Sequence, residues 1–99
     1  MEIKGTKKDG VIHVTINGRL DYANAMTAEQ YFLKYAESGN VFELDMAGVE
    51  YITSAGIRSL LTLYRAVAEK DGSVSIVNAA DQVRHVLKET AFADLFNIE

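Results

Sequence analysis

The chain has 99 residues, 48% of them apolar, with ten Lys and Arg against fourteen Asp and Glu, a formal net charge of −4, and no cysteine, proline or tryptophan. That length buries roughly two-thirds of the unfolded surface around one core and leaves none for a second, so a single domain over residues 1–99 is expected. The missing cysteines exclude disulfides, thiolate metal centres and a thiol nucleophile, and the acidic balance with scattered cations offers no stripe for a nucleic-acid backbone.

Met1-Glu2-Ile3-Lys4-Gly5 lacks the basic-then-apolar pattern of a leader, and no apolar run approaches the roughly 20 residues of a membrane span. A cytoplasmic protein without a membrane span is expected. Glu2 to Lys8 is a weak extended stretch, and Val11-Ile12-His13-Val14-Thr15-Ile16 alternates with Ile12, Val14 and Ile16 on one face before Asn17-Gly18 closes the run. Asp9-Gly10 between them suits a two-residue turn whose central residues need positive φ, so the chain opens with an antiparallel hairpin.

From Ala25 to Glu37 the period becomes helical through Ala25, Ala28 or Glu29, Phe32 and Ala36, with Asn24 as the expected N-cap and Ser38-Gly39-Asn40 as the stop. A strand follows at Val41 to Met46, where Phe42, Leu44 and Met46 alternate with acidic neighbours. The strongest helix carries Ile57, Leu60, Leu61, Tyr64, Val67 and Ala68 on its apolar side and Arg58, Ser59, Thr62, Arg65 and Glu69 on the other. It stops at Lys70-Asp71-Gly72, with Gly72 as the stop residue. Ser73 to Val77 alternates as a strand, and Asp81 to Thr90 places Val83, Val86, Leu87 and Thr90 at helical spacing. The tail contributes Phe92, Leu95, Phe96 and Ile98, four large apolar side chains that require burial. The resulting order, β-β-α-β-α-β-α, predicts an α/β fold: a mixed four- to five-stranded sheet with its helices packed mainly on one face.

Enzymatic constellations are largely missing. There is no glycine-rich phosphate loop, no zinc-protease helix motif and no nucleophile elbow, and neither His13 nor His85 has a second ligand or a nucleophile near it in sequence. The segment Asp45 to Leu61 differs, because it runs from a strand through a loop into the start of the strongest helix and brings Thr53 and Ser54 to the junction. Unpaired amides and about half a positive charge at a helix N-terminus suit an anion, so a phosphate on Ser54 fits the local field, and Arg58 lies one turn on. A Thr-Ser pair there is equally the ordinary N-cap of an amphipathic helix, with Ala55 and Gly56 as a small first turn.

Val49-Glu50-Tyr51-Ile52-Thr53-Ser54-Ala55-Gly56-Ile57-Arg58-Ser59-Leu60-Leu61 resembles the signature of STAS domains, in particular the bacterial anti-sigma factor antagonists. Gly18-Arg19-Leu20-Asp21, Leu44-Asp45 and the spaced Val83, Val86, Leu87, Thr90, Phe92, Leu95, Phe96 and Ile98 match in the same order, so the resemblance covers nearly the whole chain. It implies a single STAS-like domain acting as a switch and not as an enzyme, with no cofactor. By that resemblance an anti-sigma factor serine kinase phosphorylates Ser54, a serine phosphatase reverses this, and only the unphosphorylated form binds the anti-sigma factor.

The implied partner surface is Asp21, Tyr22, Thr53, Ser54, Ala55, Gly56, Arg58, Ser59 and Thr62. Thr53 replaces the acidic residue many members carry before the serine, which makes it the second candidate acceptor, and Ala55 replaces a frequent hydroxyl. Two alternatives stand beside this reading. One is a non-phosphorylated scaffolding STAS domain of a stress-signalling or lipid-transport complex. The other is a small-ligand or nucleotide binder at the same helix start.

Overall fold

The computed structural model describes residues 1–99. The elements are β1 (Glu2–Lys8), β2 (Val11–Leu20), α1 (Tyr22–Ala36), β3 (Val41–Ile52), α2 (Ser54–Ala68), β4 (Ser73–Val77), α3 (Asp81–Lys88), a 3-10 turn (Ala93–Leu95) and β5 (Asn97–Ile98). All five strands form one sheet in the order β1-β2-β3-β4-β5, with β1 antiparallel to β2 and the remaining pairs parallel. This is the expected mixed sheet at its upper strand count. The opening turn has the expected backbone, with φ of 53° at Asp9 and 81° at Gly10.

The register explains which face is dry. Ile12 pairs with Phe42 and Phe42 with Val74, while Val14, Leu44, Ile76 and Ile98 form the next row. Paired residues share a face, so these rows build one apolar surface. Ala28, Phe32 and Ala36 of α1, Leu60, Leu63 and Val67 of α2, and Val83 and Leu87 of α3 join them in one continuous core. The intervening row of His13, Glu43 and Ser75 looks the other way and stays half-buried, with His13 Nδ1 3.1 Å from Glu43 Oε1. No helix is long and apolar enough to cross a membrane.

Several local expectations change in three dimensions. Asn17-Gly18 does not end β2, and β3 does not stop at Met46; the two strands run on together to Leu20 and Ile52 through register shifts at Thr15/Asn17 and Gly18/Arg19. Bulges let a strand continue past residues that break simple alternation, which is why period alone cut both short. Helix α1 starts three residues earlier than expected, and Asp21, not Asn24, caps it by accepting from the Asn24 amide at 3.2 Å. The Asn24 side chain instead donates to the Arg19 carbonyl at 2.7 Å.

At the end of α2 the left-handed residue is Asp71, with φ of 57°, and not Gly72. Gly72 is needed for space, since a β-carbon there would stand 2.0 Å from the Asn40 carbonyl oxygen. Helix α3 ends at Lys88, and Val86 faces outward. Of the tail, Phe96 is buried and stacks edge-on against Tyr64, and Ile98 packs partly on the core, but Phe92 and Leu95 stay exposed. The four side chains are not all buried because the chain after α3 forms only a short turn and a two-residue edge strand.

Candidate functional site

The extended pairing of β2 with β3 carries both chain segments to one end of the sheet, where Arg19 pairs with Tyr51 and Leu20 with Ile52. Each strand then turns directly into a helix, so the N-termini of α1 and α2 lie side by side. The Thr53 amide donates to the Leu20 carbonyl at 3.1 Å, and Tyr51 Oη donates to Asp21 Oδ2 at 3.3 Å. Asp21 therefore caps α1 with one carboxylate oxygen and receives Tyr51 from β3 on the other.

Thr53 is the N-cap of α2 by backbone conformation, but its side chain makes no capping bond, and its Oγ1 is buried without a hydrogen-bond partner. Ser54 is the first residue of the helix proper and is exposed. The ordinary capping role is thus filled by neither hydroxyl. The cap side chain bonds none of the first-turn amides, and no acidic residue occupies that turn, which leaves the positive end of α2 uncompensated beside an exposed serine.

Of the expected surface, Tyr22, Ala55 and Arg58 come together in one groove, with Asp21 and Ser54 at the two adjoining helix starts. Tyr22 is 87% exposed and Met26 73%, and with Ala55 and Arg58 they line a groove of about 370 Å³ between the two helix starts. The rest of the expected set behaves differently. Ser59, placed by period on the polar side, is fully buried and donates to the Gly56 carbonyl at 2.6 Å. Gly56 is buried too, because the start of α2 presses on the end of β2. Small size lets Ser59 sit at this close approach, where its hydroxyl is satisfied inside its own helix turn. Thr62 is half-buried with Glu29 Oε1 at 3.1 Å and the Arg58 carbonyl at 3.2 Å as acceptors, so it ties α2 to α1.

Met26 and Tyr51 also flank this junction, although neither is among the surface residues expected from the sequence. Met26 lies one helical turn beyond Tyr22, a spacing visible only once the helix is known to begin at Tyr22. Tyr51 is recognisable only from the strand pairing. Neither histidine hydrogen-bonds to Ser54: His13 pairs with Glu43, and His85 Nε2 lies 3.7 Å from Glu89. Neither imidazole therefore stands beside the Ser54 hydroxyl as a base.

Comparison with known proteins agrees with this architecture. The STAS domain family model matches residues 2–99, and the chain belongs to that family. A Bordetella bronchiseptica protein named as an anti-sigma factor antagonist, BtrV, is 25% identical over 99 residues, covering 99% of this chain and 85% of its own. Among solved structures, a Thermotoga maritima protein named as an anti-sigma factor antagonist superposes with a TM-score of 0.88 at 20% identity, over 97% of this chain and 84% of that one. SpoIIAA in its unphosphorylated form gives 0.78 at 14% identity, over 99% and 88% of the two chains. The Bacillus cell-fate determinant SpoIIAA in its phosphorylated form gives 0.74 at 11% identity, over 99% and 91%. At these identities the structural matches establish the fold.

Proposed function

We propose that this protein is an anti-sigma factor antagonist, a regulatory binding domain that acts through partner exchange and has no catalytic role. In its unphosphorylated form it binds an anti-sigma factor that is also a serine kinase; phosphorylation of Ser54 releases it, and a serine phosphatase restores it. The observation that carries this reading is the state of Ser54. It is exposed at the uncapped start of α2, it is not the helix cap, and its neighbour Ala55 and Arg58 one turn on line an accessible groove with Tyr22 and Met26. The names of the relatives, and the existence of SpoIIAA in phosphorylated and unphosphorylated forms, support the same reading.

Electrostatics supplies the mechanism. A phosphate adds about −1.5 to −2 charges at the centre of the contact surface. The amides of the first turn of α2 and the Arg58 guanidinium can receive it without disturbing the core, so the fold persists while the surface presented to the partner changes sign locally. Thr53 is a poor acceptor, since its hydroxyl is buried.

The test is phosphorylation in vitro. The protein is incubated with ATP and, in turn, each purified kinase of the histidine-kinase-like ATPase class encoded in the source genome, and intact mass and peptide mapping are read. One phosphate on Ser54, lost in Ser54→Ala and kept in Thr53→Ala, is expected, together with release of the kinase from the modified form. No phosphate with any such kinase overturns the proposal.

A further inference from the structure

Ser54 also closes one end of a second groove, of about 430 Å³, on the side of α2 away from Tyr22. Its floor is apolar, formed by Ile57 and Leu61, and its far wall is Thr90 with Phe92, which remains 42% exposed. Along the α2 rim stand Arg58 and Arg65, both exposed. Neither has a carboxylate within 4.0 Å, although the chain carries fourteen acidic residues and a net charge of −4. Two unpaired guanidinium groups beside an uncovered aromatic ring, in an otherwise acidic molecule, make a surface complementary to carboxylates carried next to an apolar side chain.

We propose that this groove docks an acidic segment of a partner protein, with carboxylates on Arg58 and Arg65 and an apolar side chain between them on Ile57, Leu61 and Phe92. Arg65 lies seven positions after Arg58 along α2, which sets them roughly 10 Å apart; a segment in the polyproline-II conformation, with three residues per turn and about 3.1 Å rise per residue, brings side chains three positions apart to one face over about that distance. The matching sequence is therefore acidic at two positions three apart with large apolar residues between. Ser54 at the groove's end gives the modification a direct reading: a phosphate there offsets the charge of the rim and opposes an incoming carboxylate. The inference rests on the partner-exchange reading only for the identity of the protein that supplies the segment.

The probe is an acetylated, amidated peptide Ser-Glu-Leu-Phe-Glu-Ser and its counterpart with both Glu replaced by Lys, titrated into isotope-labelled protein and followed by amide chemical shifts at two salt concentrations. The acidic peptide is expected to shift Arg58, Leu61, Arg65 and Phe92, to weaken with salt, and to lose about tenfold or more in affinity in Arg65→Glu and in Ser54→Asp. Equal binding of the lysine peptide, shifts outside the groove, unchanged affinity in either variant, the same shifts from inorganic phosphate alone, or self-association of the free protein through these residues each overturn it. Absence of binding at millimolar peptide also overturns it and leaves Ser54 phosphorylation, read by mass, standing or falling separately.

Discussion

Gly56 lies so tightly against Leu20 that a β-carbon on it would stand 2.1 Å from the Leu20 carbonyl oxygen and 2.9 Å from Ile52 Cγ1. The same carbonyl accepts the Thr53 amide, so it cannot rotate aside without breaking the bond that seats the start of α2 on the end of β2. This close approach seats the first turn of α2, and Ser54 with it, on the end of β2.

Gly56→Ala is therefore expected to destabilise the fold by about 3 kcal/mol or more, at the upper end of overpacking costs, since the obstacle is backbone and not a flexible side chain. Urea unfolding with an unchanged m-value measures it. A cost under about 1 kcal/mol would show that the junction yields and that α2 is less firmly seated than its geometry implies.

At the neighbouring helix start, Asp21→Ala removes the cap of α1 and is expected to cost about 1 kcal/mol, whereas Asp21→Asn, which also caps well, costs a few tenths. Tyr51→Phe deletes only a long, exposed hydrogen bond and costs less than about 0.5 kcal/mol. The three variants in parallel denaturation experiments separate the roles; a Tyr51→Phe cost equal to that of Asp21→Ala would place the stabilisation in the cross-link and not in the cap.

Thr53 yields a prediction of opposite sign. Valine is a poor N-cap residue in general, but Thr53 makes no capping bond to lose, and its hydroxyl is buried without a partner. Thr53→Val is expected to be neutral or to stabilise by up to about 1 kcal/mol, because an unsatisfied buried hydroxyl is removed with little change of shape. Destabilisation beyond that figure, read by thermal or urea unfolding, would mean that the hydroxyl has a partner, such as a bound water.

Charge at Ser54 separates folding from binding. Ser54→Asp puts a carboxylate in the first turn of α2 and is expected to be more stable than Ser54→Ala by about 0.3–1 kcal/mol at low ionic strength, a difference that shrinks in molar salt. The same substitution is expected to bind the kinase partner more weakly than Ser54→Ala does. Paired thermal unfolding and calorimetric titration test this; a less stable Ser54→Asp would contradict a phosphate acting at an uncompensated helix start, because the charge would then act by disrupting the fold.

Local pattern was enough to place most of the elements. The Asp9-Gly10 turn, the alternation through Ile12, Val14 and Ile16, the period through Phe32 and Ala36, and the Ser73–Val77 strand all appear where spacing put them, since each depends on neighbours in the chain. The junction before α2 and its serine were equally legible, through the motif running from Val49 to Leu61.

Tertiary contact decided the rest. Two strands extend to Leu20 and Ile52 because their irregular ends pair with each other. Ser59 is interior because α2 meets β2 at a glycine, although helical period alone sets it among polar residues. The grooves flanking Ser54 bring α2 against Tyr22 and Met26 on one side and against Thr90 and Phe92 on the other. The sequence by itself determined the α/β order of the elements and the place of Thr53-Ser54 at the start of the strongest helix, because both depend on short-range spacing, and the motif from Val49 to Leu61 added the family resemblance. Which side chains surround that serine depended on register and close packing between segments remote in the chain, and only the folded sheet sets those.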